Sequence, residues 1–230
     1  MSISLFFNTR KRVSLLNNLL SSLYATAYDV SNIEVFITID SDDYESKEFL
    51  ENTNLENLKV RSIDRPSNLH VSINEMAKLS TGDFLFVLND DIIFRTYHWD
   101  KKIIDSYDPS QILYIGTNDN SVDKTKARRY SSFPILTRAS YEALGFFMSE
   151  KFVSHGGDVH LWRIFDNLGL VEHSHVFLDH VLHNSGEALK HMKQEETAQD
   201  AVRMTGKTVA RCWDEDISEE VKRVREIHGV

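Results

Sequence analysis

Two adjacent carboxylates, Asp90 and Asp91, follow Asn89 at the end of an unbroken apolar run, Phe84-Leu85-Phe86-Val87-Leu88. Carboxylates so placed are hard oxygen ligands of the kind that hold Mg²⁺ or Mn²⁺, and such an ion neutralises substrate phosphates. The same tripeptide also suits a polar turn after a strand. Asp158 heads an apolar-striped segment running to Leu168, where it can serve as a carboxylate base or as a plain helix cap. Asp40 opens the acidic run Asp40-Ser41-Asp42-Asp43, and Arg65 can meet a phosphate with its two-pronged guanidinium or merely balance Asp64. Six of the ten histidines fall between His155 and His183, yet no His-Glu-x-x-His occurs. His173 and His175 are spaced as one face of a strand, which argues against a zinc site. Lys124, Lys126, Arg128 and Arg129 form a basic group that reads as a solvated loop or as a lid over an anionic ligand. Trp99, Trp162 and Trp213 are core or groove-lining residues, and nothing in the sequence selects one of them for binding.

The elements that must position these residues alternate. Ile3–Phe7 reads as a first strand, and Asn8-Thr9-Arg10-Lys11-Arg12 opens a helix with Leu16, Leu19, Leu20 and Leu23 on one face. Ile33–Ile39 is a second strand ending at Asp40, and a third lies at Leu58–Ile63. A helix over Val71–Leu79 follows, stopped by Thr81-Gly82 in the way glycine commonly ends helices. The fourth strand is Phe84–Leu88, apolar on both faces as a central strand of a parallel or mixed sheet must be. This βαβαβαβ order belongs to nucleotide-binding α/β sheets, which take ligands at the carboxyl ends of their strands. Beyond it the pattern predicts a helix at His98–Tyr107, strands at Ile112–Ile115, Phe133–Leu136 and Val171–Leu178, and helices at Arg138–Leu144 and Asp158–Leu168. A last helix starts at Asp216 with a capping box to Glu219.

Composition narrows the function. A net charge of −9 argues against nucleic acid, whose binders carry a basic face. No apolar run approaches the ~20 residues that span a membrane, and the N-terminus reads as a strand and not as a signal peptide. Cys212 is the only cysteine, so no internal disulfide can form, and a soluble cytoplasmic protein is the expectation. The chain shows no repeat and no linker and reads as a single domain over residues 1–230.

With these elements placed, the chain resembles the GT-A glycosyltransferases, in particular the inverting family 2 type. Four stretches over roughly residues 3 to 186 carry the likeness. Asn8-Thr9-Arg10-Lys11-Arg12 matches the family's Thr-x-Asn-Arg-like turn, and Asp40 stands where the family places an acid that reads uracil. Arg65-Pro66-Ser67-Asn68, Asn74 and Gly82-Asp83-Phe84 match the lead-in to its DxD motif. Leu144-Gly145-Phe146-Phe147 through Gly157-Asp158-Val159-His160-Leu161, Arg163 and Gly169 match its Glu-Asp region. There are two departures: Asn89 replaces the first Asp of DxD, and Gly157 replaces the Glu before Asp158.

The resemblance implies a Rossmann-like fold with a mixed, mostly parallel sheet flanked by helices. Residues 1–95 would form the nucleotide-binding half, 96–186 the acceptor and catalytic half, and 187–230 C-terminal helices. It implies transfer of a sugar from a nucleoside-diphosphate donor, UDP-linked if Asp40 reads the base, to a carbohydrate or other hydroxyl acceptor, with inversion. Thr9, Arg10, Asp40, Arg65, Asn68, Asn89 and Asp90 would bind the donor. Asp91 would hold Mn²⁺ or Mg²⁺ together with His183, or in second place His180. Asp158 would be the base, kept ionised by the positive helix terminus. A sugar-phosphate nucleotidyltransferase is the alternative enzyme, although Asn8-Thr9-Arg10 lacks that class's glycine-rich loop. An inactive nucleotide- or glycan-binding module is the other alternative, kept open by Asn89 and Gly157.

Overall fold

Eight strands form one sheet in the order β3-β2-β1-β4-β7-β6-β8-β5. The computed structural model describes residues 1–119, 130–181 and 213–228. The elements are β1 (Ile3–Thr9), α1 (Val13–Thr26), β2 (Ile33–Asp40), α2 (Tyr44–Glu51), β3 (Leu58–Ile63), α3 (Leu69–Leu79), β4 (Phe84–Val87) and β5 (Ile92–Phe94). After these come α4 (Trp99–Ser106), β6 (Tyr114–Asp119), β7 (Ile135–Thr137), α5 (Arg138–Leu144), α6 (Gly157–Leu168), β8 (Val171–His180) and α7 (Ser218–His228). The Lys124–Arg129 group, His183 and Cys212 lie outside the described residues.

The first half is parallel: β1 pairs with β2 and β4, and β2 with β3. Every residue of β4 is buried, as an apolar run flanked by sheet on both sides requires. The second half is mixed. β7 runs antiparallel to β4 and β6, β6 is parallel to β8, and β5 is antiparallel to β8. Two apolar clusters cover the faces. One packs α1 and α4 onto the sheet around Trp99, whose ring meets Phe94 at 4.8 Å and whose Nε1 donates to the Leu23 carbonyl at 3.1 Å. The other packs α3, α5, α6 and α7 around Phe6, Phe147 and Phe165.

Several local expectations shift. The last helix begins at Ser218, where Asp216 Oδ1 accepts from the Ser218 N–H at 2.9 Å; the bond goes to Ser218 and not to Glu219. The strand expected at Ile112–Ile115 runs Tyr114–Asp119 and places Asp119 at its carboxyl end. Gly82 does not end α3 through a left-handed backbone, since Ser80 is the cap and Gly82 is not among the positive-φ residues. The glycine is there for space: a Cβ on Gly82 would lie 2.4 Å from Ser4 Oγ and 2.7 Å from the Ser4 nitrogen. Gly82→Ala should therefore lower stability by about 1–3 kcal/mol, the usual range for overpacking. Trimming Ser4 to Ala should recover only part of this, because the Ser4 backbone is also in the way. Urea denaturation of the single and double variants checks it, and a Gly82→Ala variant as stable as wild type would refute the steric account.

Candidate active site

The carboxyl ends of the parallel strands gather most of the sequence-flagged residues. Between β1 and α1 the chain turns through Arg10-Lys11-Arg12, with Lys11 in the left-handed region at φ 52°. A side chain with a Cβ rarely adopts that conformation. Here four contacts hold the turn, and each ends on an acid. Arg10 donates to Asp40 and Asp42, both at 2.6 Å, and the Lys11 N–H donates to Asp43 Oδ2 at 2.6 Å. Arg12 reaches Asp90 Oδ1 at 3.2 Å. Asp40 therefore stands at the end of β2 as expected, already paired with Arg10.

Asp90 and Asp91 are both buried, while Asn89 is exposed. Asp90 accepts from Thr9 Oγ1 at 2.8 Å as well as from Arg12. Burial pushes its carboxyl up to about 6; the neighbouring Asp91 charge adds to this, and Arg12 and Thr9 oppose it. Asp91 is held differently. Its carbonyl accepts from the Val181 N–H at 2.9 Å, and its Oδ2 lies 3.1 Å from His180 Nε2. Its other oxygen, Oδ1, is buried and has no hydrogen-bond partner among the described residues. The β5–β8 pairing sets Ile92 opposite His180 and so delivers that histidine to Asp91. His180 is the described histidine beside the acidic pair. Among the described residues no three His, Cys, Asp or Glu side chains cluster in a way that could hold a metal.

Asp158 is half-buried in the first turn of α6 and is not its cap; Gly156 takes that place with φ 93° and no side-chain bond. Its carboxyl departs from expectation. Loss of solvation pushes it up to about 6, with the charge of Asp119 adding, and the N–H groups of residues 156, 158 and 159 offset only part of this. The helix terminus acts in the expected direction, and desolvation outweighs it.

Other flagged residues have structural partners or none. Asn68 caps α3, accepting from the His70 N–H at 2.9 Å and donating to the Glu150 carbonyl at 2.9 Å. Arg65 is exposed on its loop. Of the histidines, His160 is fully buried beside Phe152, and burial pushes its ring down to about 4, so it is neutral near pH 7. Arg12, Asp119 and His70 were not singled out by sequence reasoning. Arg12 closes the quoted Asn8–Arg12 run, and only its reach to Asp90 gives it a role.

A mixed, mostly parallel sheet flanked by helices, with a buried carboxylate pair after β4, has the GT-A fold. The sequence profile of glycosyl transferase family 2 matches residues 4–163, and the chain belongs to that family. It is a glycosyltransferase. No curated protein matches it in sequence. Among solved structures it is similar to the mannosyltransferase PcManGT from Pyrobaculum calidifontis in complex with GDP-Man and Mn²⁺, at TM-score 0.69 and 11% identity, covering 97% of this chain and 69% of that one. It is also similar to S. aureus TarS residues 1–349 in complex with UDP, at TM-score 0.61 and 16% identity, over 79% of this chain and 58% of that one. The same TarS fragment with UDP-GlcNAc gives TM-score 0.58 and 16% identity. The chain thus spans little more than half of the TarS fragment.

Thr9→Val removes one of the two donors to Asp90 at nearly constant volume. Leaving that buried carboxylate short of a donor should cost about 1–3 kcal/mol. Urea unfolding at pH 7 reads this out; a loss of under 0.5 kcal/mol, roughly the level of a neutral surface change, would mean that Arg12 alone suffices to hold Asp90.

Proposed function

We propose that the chain transfers a sugar from a UDP-linked donor to an acceptor hydroxyl with inversion, using a divalent cation at Asp91 and His180 and Asp158 as the base. The observation that carries the metal reading is the buried Asp91 Oδ1, an acceptor with no partner among the described residues, on a carboxylate whose other oxygen meets a histidine. A buried lone carboxylate oxygen is costly unless something meets it. Mg²⁺ or Mn²⁺ fits such a place, because these ions keep waters and substrate phosphates in their shell and need only one or two protein ligands. When bound, the ion would neutralise charge developing on the departing nucleoside diphosphate. PcManGT, solved with GDP-Man and Mn²⁺, and TarS, solved with UDP and UDP-GlcNAc, support a nucleotide-sugar donor for this scaffold. Family membership sets aside the nucleotidyltransferase alternative.

The residues of the chain divide the work. Asp40 at the end of β2 would accept from the base of the nucleotide, and Arg10 beside it would move toward the phosphates; Thr9 and Asp90 would shape the floor beneath them, and Asn89, Asn68 and Arg65 would contribute further donor contacts. Asp158 would take the proton of the attacking hydroxyl. A base must be deprotonated to act. With its carboxyl near 6, Asp158 is mostly ionised at pH 7 and becomes protonated as pH falls through 6. Single-turnover transfer should therefore fall tenfold per unit below pH 6 and level off above 7. Asp158→Asn should leave Mn²⁺-dependent UDP affinity unchanged while transfer drops ~10²–10⁴-fold, the usual cost of a lost general base. Wild-type transfer by that variant would remove Asp158 from the mechanism.

Asp91→Ala tests the metal half. Calorimetry with UDP should detect Mn²⁺-dependent binding in wild type and none in the variant, with circular dichroism unchanged. Equal UDP affinity in the two proteins would show that Asp91 does not hold the ion.

A further inference from the structure

The segment between α5 and α6, residues 145–156, has no regular structure of its own, and the first turns of α3 act as its mould. The Leu69 N–H donates to the Val153 carbonyl at 2.9 Å, and Asn68 Nδ2 donates to the Glu150 carbonyl at 2.9 Å. Asn74 accepts from the Phe147 and Met148 N–H groups at 3.0 and 2.9 Å and donates to the Met148 carbonyl at 2.8 Å. His70 is the central piece. Its ring is buried, with Nδ1 2.8 Å from the Ser149 carbonyl and Nε2 3.3 Å from the Ser154 carbonyl, so it spans the far half of the segment.

The same ring explains Gly157. That residue is the first of α6 and has no left-handed backbone that would demand glycine. A Cβ there would lie 2.5 Å from His70 Cε1, 2.9 Å from His70 Nε2 and 3.0 Å from Met148 Sδ. Real Cβ atoms do not approach ring atoms that closely, and both neighbours are packed in the interior. The imidazole therefore sits against the backbone immediately before Asp158.

We propose that His70 is a positioning residue: wedged between the Ser149 and Ser154 carbonyls and against the Gly157 backbone, its ring fixes where α6 begins and hence where Asp158 is held. On this account Gly157 is the matching half of a contact, and its lack of a side chain is no sign of lost activity. The consequence for turnover rests on the reading of Asp158 as the base; the positioning itself does not. The contact links the helix that follows β3, on the donor side of the sheet, to the residue that acts on the acceptor.

Four variants of the full chain test this: His70→Ala, His70→Gln, Gly157→Ala, and the His70→Ala/Gly157→Ala double. His70→Ala should lower the transfer rate at saturating donor at least tenfold while UDP affinity with Mn²⁺ stays within twofold, since the ring contacts the 145–156 segment and the backbone bond from His70 to Asn68 is retained. His70→Gln, whose amide can still donate to a loop carbonyl, should recover most of that loss. Gly157→Ala should lower the melting temperature in the wild-type background and much less in the His70→Ala background, where the added methyl enters vacated space. Carbon-13 NMR of the Asp158 carboxyl gives a readout apart from turnover: its midpoint near 6 should drop in His70→Ala as water reaches it, Asp119 being unchanged. An unchanged rate and midpoint in His70→Ala would overturn the proposal, as would equal damage from Gly157→Ala with and without His70. If wild type turns over no nucleotide sugar, the base reading fails, and the midpoint and the melting temperatures still decide the positioning. If Gly157→Ala does not fold, His70→Ala and His70→Gln decide it alone.

Discussion

The carboxyl end of the sheet depends on one buried carboxylate with two anchors. Asp90 is removed from water at a cost that Thr9 and Arg12 only partly offset, which is why its carboxyl titrates high. The two anchors belong to the end of β1 and the turn after it, so the contact ties the first loop of the chain to the end of β4. Asp90 and Asp91 lie in the turn between β4 and β5. Thr9 and Arg12 draw Asp90 toward the end of β1, and His180 meets Asp91 from the antiparallel half. The two adjacent acids are thus held by opposite halves of the sheet.

The mixed topology serves the same end. Parallel strands deliver all their carboxyl ends to one edge, but they cannot bring a residue from late in the chain back to that edge at the acidic pair. Strand β5 does this in three residues by running antiparallel to β8. The Val181 N–H bonding to the Asp91 carbonyl extends the clasp by one residue past the regular pairing. Asp119, at the end of β6, comes to the same rim through its pairing with Leu178 of β8. Its charge is felt at Asp158, which links the end of β6 to the first turn of α6 within the second half.

The parallel half was legible in the sequence because each strand there is an apolar run closed by a turn, and Asp40 and Asp91 fall where the runs stop. Partner choice was not legible, since periodicity describes a strand's faces and says nothing of its neighbours; β5, three residues long, carries almost no pattern. The same limit applies to Asp158. A sequence shows the helix terminus that lowers a carboxyl pKa, but not the enclosure that raises it, and the enclosure is larger. Gly157 read as a departure from a motif because its cause, the His70 ring, lies on another helix. Gly82 read as a helix stop for a similar reason, its true constraint being the backbone of Ser4 in the neighbouring strand. His183, favoured by resemblance, lies outside the described residues, and the pairing of β8 with β5 sets His180, the second choice, beside Asp91.

To take the anionic donor proposed for it, a chain of net charge −9 would need local positive charge, and in the turn after β1 much of that charge is already committed. Arg12 is tied to buried Asp90, a pair whose disruption would leave a desolvated carboxylate behind. Arg10 is tied to Asp40 and to Asp42, and the Asp42 side chain is 54% exposed. An exposed pair such as Arg10–Asp42 is worth about 0–1 kcal/mol, whereas the Arg10–Asp40 pair ends on a buried carboxylate. The two arginines, two residues apart, are thus held differently: Arg12 reaches a buried carboxylate, and Arg10 is shared between buried Asp40 and exposed Asp42. On the proposed reading the shared guanidinium is the one that would turn to the diphosphate, and the proposed cation at Asp91 would meet part of the charge that remains.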